Sequence, residues 1–151
     1  MSLEEYLTSQ GVWHRFISKT ETIHTVDAAR VSGIELHRIT KNLIFMTDDA
    51  RFALLIIPGD RRVDSRRAAE VLGVKKIQLA PFERSEEVSG YPPGGTPSVG
   101  HRTPMKVVLD RSLLAYETIY CGGGSREKLL ELKTQDIVRL TGATIADIST
   151  M

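Results

Sequence analysis

Lys41 stands in the run Ile39-Thr40-Lys41-Asn42-Leu43-Ile44-Phe45, where strand-forming residues flank a single ammonium. Burying that charge is costly unless it is paired or opens on a cavity, so Lys41 is either an exposed pleat residue or a site residue. Pattern alone leaves both open. Far downstream, residues 89–104 hold four of the six prolines and four of the twelve glycines of the chain. Loops of that length inside compact domains are usually functional or disordered, and this one reads as functional. Its glycines would let backbone N–H groups approach an anion or a carbonyl oxygen, as an oxyanion hole does. A third feature is local charge. Arg61, Arg62, Arg66, Arg67, Lys75 and Lys76 stand against Asp60, Asp64 and Glu70, a set that fits either a solvated helix face or a phosphate contact.

Other chemistries find little support. Gly95-Thr-Pro-Ser-Val-Gly100 has the glycine spacing of a phosphate-binding P-loop, but His101 and Arg102 occupy the positions that need Lys and Ser or Thr. No glycine fingerprint of a dinucleotide site follows a strand. His14, His24, His37 and His101 lie far apart, and the one cysteine adds no ligand cluster, so neither a metal nor a cofactor is expected. Cys121 could be a nucleophile, although a lone cysteine at a strand end is more often a small buried hydrophobe.

The elements that must position these residues follow from periodicity and caps. Ser2 and Glu5 form a capping box for a helix that Gly11 stops. Val12 to Ile17 reads as a strand, Thr25 with Asp27 as the cap of a helix through Val31, and Leu36 to Met46 as a strand. An Asp48-Asp49 turn leads into Arg51 to Ile57, whose Ala-Leu-Leu-Ile-Ile run suits a strand buried on both faces. Asp64 or Ser65 caps a helix ended by Gly73, and Ile77 to Leu79 is a strand. Beyond the loop, Val107 to Leu109 and Glu117 to Cys121 are strands about a helical turn at Asp110 to Leu114. Lys128 to Lys133 alternates and follows Gly122-Gly123-Gly124, which favours a hairpin strand. Thr134 caps a helix through Thr141, and Thr144 to Ile148 closes as a strand. About eight short strands with irregularly interspersed helices predict an α/β fold in the broad sense, of the α+β kind, with a mixed sheet.

Length and composition agree with that. The chain has 151 residues, 41% hydrophobic and 26% charged, which suits one globular domain and excludes disordered, collagenous and coiled-coil classes. Twenty basic against nineteen acidic residues leave a net charge of +1, so a polyanionic partner must meet a local patch. The longest apolar run, Ala53 to Ile57, is far short of the ~20 residues of a membrane helix, and no signal-peptide plan opens the chain. The expectation is a cytoplasmic protein with no membrane partner.

Several motifs share one resemblance. Thr-Lys-Asn-Leu at 40–43, Ile-Pro-Gly-Asp at 57–60 before Val63-Asp64 and Ala-Ala-Glu-Val-Leu-Gly, the glycines of Gly90-Tyr-x-x-Gly-Gly-x-x-x-x-Gly100, Val-Val-Leu-Asp at 107–110, Ile-Tyr-Cys-Gly-Gly-Gly at 119–124 and Leu-Thr-Gly-Ala-Thr-Ile-Ala-Asp-Ile at 140–148 recur in order. Together they resemble the YbaK family, related to the editing insertion domain of bacterial prolyl-tRNA synthetase. The resemblance implies one domain over residues 1–151 on a mixed, barrel-like β-sheet with flanking helices. It also implies a deacylase acting in trans on mischarged tRNA, typically cysteine or alanine on tRNA specific for proline. Lys41 matches the family's functionally important lysine, and Gly100 the glycine associated with the substrate carbonyl. Two departures stand out: Pro97-Ser98 where the family commonly has Ser-Pro, and Arg126-Glu127 where it has Arg-Gly. Asn42 is similar to relatives that remove alanine, the glycine-rich loop to those acting on cysteine.

The site expected on this basis has Lys41 and Gly100 as catalytic residues and Asn42, Gly94, Gly95 and His101 as substrate contacts. Arg61, Arg62, Arg66 and Arg67 would hold the tRNA acceptor end, with prolyl-tRNA synthetase as a further partner. An aminoacyl ester is already activated, so such a site needs orientation and oxyanion stabilisation more than a strong nucleophile. A non-catalytic module that binds aminoacyl-tRNA or a synthetase is the alternative, and a small-nucleotide-binding protein ranks below both.

Overall fold

A computed structural model describes all residues, 1–151. The order is α1 (Leu3–Gln10), β1 (His14–Ser18), α2 (Thr25–Ser32), β2 (Thr40–Thr47), β3 (Phe52–Pro58), β4 (Arg62–Val63), α3 (Ser65–Leu72) and β5 (Ile77–Leu79). Then follow α4 (Phe82–Ser89), β6 (Lys106–Asp110), β7 (Thr118–Gly122), β8 (Lys128–Lys133), α5 (Thr134–Thr141), β9 (Thr144–Ala146) and β10 (Ser149–Thr150).

Two sheets carry the fold. The five-stranded sheet runs β5-β2-β3-β6-β9, antiparallel through β5, β2 and β3 and parallel through β3, β6 and β9. The three-stranded sheet β1-β8-β7 is antiparallel, and β4 pairs with β10. β3 is the axis of the molecule. Residues Ala53 to Ile57 are each at most 1% exposed, as the unbroken apolar run predicts. Alternation splits them between two cores. Leu54 and Ile56 join the large core with Leu7, Leu130 and Ile137, whereas Ala53, Leu55 and Ile57 pack with Ala68 of α3.

The sheets meet where Ile39 bridges Tyr120 and the Thr40 hydroxyl donates to the Tyr120 carbonyl at 2.8 Å. They do not close, so the expected barrel-like sheet is corrected to two open sheets within the α+β class. A single contact between strands cannot replace the continuous stagger that closure requires.

Local chemistry explains most elements. Ser2 and Glu5 form the reciprocal capping box, and the Asp64 carboxylate caps α3 through the Arg67 N–H. Thr25 and Thr134 are not caps. Each is the first residue of its helix, and their hydroxyls donate instead to the carbonyls of Gly59 and Tyr116. Leu36–Arg38 is a 3-10 turn rather than the start of a strand. α4 has no counterpart among the expected elements, because its one aromatic, Phe82, stays exposed, most of its other exposed residues are charged, and only Ser85, Val88 and Ser89 face inward, too few apolar positions to set a helical period. The long irregular segment therefore begins at Gly90.

Asp110, 3% exposed, ties the C-terminal strands to the sheet: its carboxylate accepts from the Ile148 N–H at 3.0 Å and from Ser112. Asp110→Ala strands a buried N–H, so the urea midpoint should fall by the equivalent of about 1–3 kcal/mol with an unchanged slope.

Candidate functional site

A cavity of about 520 Å³ opens beside the first half of β2. Lys41, Asn42, Gly94 and Thr96 line it, with Lys19 and His24 opposite and the exposed apolar residues Ile23, Val26, Leu79 and Phe82 around it. That size is ordinary for a small-molecule site. Its position follows from strand lengths. β5 pairs only with Phe45–Thr47, leaving the edge of residues 40–43 uncovered. The Ile44 carbonyl accepts from the Ala80 N–H, so the even residues of β2 turn their backbone groups toward this edge, and the Asn42 N–H opens on the cavity. Gly94, at φ 89°, adds a backbone N–H with no acceptor in the protein.

The Lys41 ammonium is half-buried and donates to the Arg61 carbonyl at 2.6 Å. Burial draws its pKa below the usual lysine range, and the Asp60 carboxylate partly offsets this. No carboxylate pairs with it at salt-bridge distance, so its charge remains available to a ligand.

A hydrogen-bond chain fastens the loop to β2. Ser98 Oγ donates to Asn42 Oδ1 at 2.6 Å, Asn42 Nδ2 donates to Thr40 Oγ1 at 2.8 Å, and Thr40 donates onward to Tyr120. The Asn42 amide is thus occupied within the protein, which leaves its backbone N–H as the group free on the cavity side. Cys121, beside Ser98, is fully buried and its thiol is pushed up to about 11 by desolvation. A neutral buried thiol is no nucleophile at neutral pH.

The remaining expected residues divide. Gly95 backs the site: an added Cβ would lie 2.7 Å from the Ser125 backbone, and its carbonyl accepts from the Gly124 N–H at 2.9 Å. Gly100 does not share the Lys41 cavity. It lines a separate cavity of about 700 Å³ with Tyr91, Arg102 and Lys128. His101 lines neither; its Nε2 donates to the Pro97 carbonyl at 2.7 Å, and burial pushes its pKa down. Arg61 donates to the Ser149 carbonyl, while Arg62, Arg66 and Arg67 are exposed and outside the Lys41 cavity. The chain folds its loop so that only Pro93, Gly94 and Thr96 of it line the Lys41 cavity, and spacing along the sequence could not reveal that. Lys19, His24 and Thr96 were not anticipated. Lys19 sits next to a strand end among polar residues, and nothing in its local pattern distinguishes it.

Residues 20–140 match the family model described as an aminoacyl-tRNA editing domain. A Bacillus subtilis protein, YwhH, of uncharacterised role is 31% identical over 91% of this chain and 89% of its own length. An Enterococcus faecalis protein provisionally named as a Cys-tRNA(Pro)/Cys-tRNA(Cys) deacylase is 26% identical over 91% of this chain and 84% of its own. The proline–tRNA ligase of Methylobacillus flagellatus is 34% identical over 64% of this chain, a stretch that covers 18% of the ligase. A crystal structure described provisionally as a trans-editing enzyme for prolyl tRNA synthetase superposes with a TM-score of 0.88 at 28% identity, covering 99% of this chain and 95% of that one.

The clasp predicts a stability effect. Asn42→Ala or Ser98→Ala leaves a buried partner unsatisfied and should cost about 1–3 kcal/mol, and the double variant should lose less than the sum. Urea melts of the four proteins measure this. Cys121 should resist a thiol reagent in the native protein at neutral pH and react fully in denaturant.

Proposed function

The chain belongs to the aminoacyl-tRNA editing domain family, and on that premise we propose that it acts in trans as a deacylase of mischarged tRNA. Water adds to the ester carbonyl, the bond from that carbon to the terminal ribose oxygen breaks, and that oxygen takes up a proton. The products are a free amino acid and an uncharged tRNA. Residues 1–151 act as one editing unit in this reading. The name of the Enterococcus relative, which this chain spans over 84% of its length, supports cysteine on proline-specific tRNA as the substrate, with alanine the competing one. The kinship to proline–tRNA ligases supports prolyl-tRNA synthetase as a partner, and the reaction belongs in the cytoplasm. No helix is long and apolar enough to cross a membrane.

One observation carries the reading: Lys41 and the unpaired backbone donors of Asn42 and Gly94 share a single cavity of about 520 Å³. The Lys41 ammonium supplies positive charge to the terminal phosphate or the carbonyl region. The backbone N–H groups stabilise the oxyanion, an arrangement that costs no reorganisation because strand and loop already hold them. The apolar residues Ile23, Val26, Leu79 and Phe82 offer a surface for the adenine ring. Gly100, His101 and the Arg61–Arg67 group act, in this reading, through the loop and the surface beyond the cavity.

Lys41→Ala should abolish release of the amino acid from mischarged proline-specific tRNA while leaving the thermal transition in place. Wild-type turnover in that variant would remove Lys41 from the mechanism. Tight binding by the native protein without any release would instead favour a recognition module. If the ammonium form is required, enzyme-dependent hydrolysis should fall as pH rises through the Lys41 pKa, earlier than for an ordinary lysine because that pKa is lowered.

A further inference from the structure

Four cations form a ridge between the two cavities, and none of them pairs with a carboxylate. Lys19 lines the Lys41 cavity, and its ammonium donates to Thr22 Oγ1 at 2.6 Å and to the Arg126 carbonyl at 2.5 Å. Arg126 Nε donates to the Pro93 carbonyl at 2.8 Å, which fixes the guanidinium against the loop. Lys128 lies over the Phe16 ring, and Arg102 runs along Gly90, where an added Cβ would meet its side chain at 3.2 Å. These last two reach the second cavity, about 700 Å³, which also holds the half-buried ring of Tyr91. Glu4, Glu21 and Glu127 are exposed nearby and form no salt bridge with any of the four. Arg67, by contrast, is neutralised in part by Asp64 at 3.6 Å.

Cations free of salt bridges, two of them fixed by backbone carbonyls and one lying over an aromatic ring, suit a polyanion that enters along them, and Glu21 and Glu127 offset only the charge of Lys19. We propose that the ridge Lys19–Arg126–Lys128–Arg102 and the cavity beside Tyr91 bind the single-stranded nucleotides that precede the terminal adenosine of tRNA. The second cavity then receives a base that stacks on Tyr91, while the ridge contacts the intervening phosphates. This rests on the deacylase reading for its choice of RNA. It differs from the expected contact through Arg61–Arg67, which lies on β4 and α3, in using cations that follow β1, flank the start of β8 and end the loop.

The test is fluorescence anisotropy with an uncharged RNA oligonucleotide ending in the tRNA 3′ sequence, compared with adenosine 5′-monophosphate as competitor. Arg102→Gln with Lys128→Gln should weaken oligonucleotide binding about tenfold at low salt and lower the slope of log affinity against log salt by about 0.7 for each cation removed. The pair Arg102→Lys and Lys128→Arg should restore the slope, which separates lost charge from lost folding. Equal affinity and slope in wild type and the double Gln variant would overturn the proposal. So would a larger loss from Arg66→Gln with Arg67→Gln, or oligonucleotide binding no tighter than that of the mononucleotide. Absence of ester hydrolysis alongside the expected binding pattern would sink the deacylase reading and still support the ridge.

Discussion

The hydrogen-bond chain from Ser98 through Asn42 and Thr40 to the Tyr120 carbonyl is the constraint on which the site depends. It joins three separate pieces: an irregular loop, the exposed-edge half of β2, and the second sheet. The loop has no regular ladder, although its Thr96 carbonyl accepts from the Gly122 N–H, and the two sheets share a single strand-to-strand bridge beside a common apolar core. Because Ser98 and Thr40 are buried, each link sits at low dielectric, where a satisfied polar chain is rigid and a broken one is costly. The cavity walls therefore keep their spacing without any contribution from a ligand.

That rigidity matters for chemistry of the proposed kind. A site with no activated nucleophile must gain its rate from orientation and from dipoles fixed before the substrate arrives. The donors of Asn42 and Gly94 belong to backbone, which has little freedom to reorganise. Lys41 is held similarly, its ammonium bonded to the Arg61 carbonyl, with the Asp60 charge nearby but no salt bridge. The buried Cys121 contributes volume and no reactivity.

Much of the fold was legible in the residues. The capping box at Ser2, the aliphatic run on β3 and the glycine stops after four of the expected helices work through neighbours in the chain, so periodicity finds them. α4 carries no readable apolar period, because its Phe82 is exposed and Val88 is the single aliphatic it buries. The site was legible only in part. Lys41 and Gly94 share a cavity as expected, but Gly100 belongs to another and the Asn42 amide is spent inside the protein. Where a loop turns its residues depends on contacts such as Gly95 against Ser125, which join positions far apart in sequence. Lys19 was missed for the same reason: only the folding of β1 beside β8 brings it to Arg126.

The uncovered half of β2 has a consequence for how molecules of this protein coexist in a crowded solution. Unsatisfied strand edges invite another chain to add itself, a route to self-association and fibrils. Here the edge is recessed, with α2 residues on one side and Pro93 on the other, and proline has no N–H to extend a ladder. Helix and loop thus flank the edge on both sides, so openness to a slender ligand end does not leave a free flat edge for a neighbour's strand.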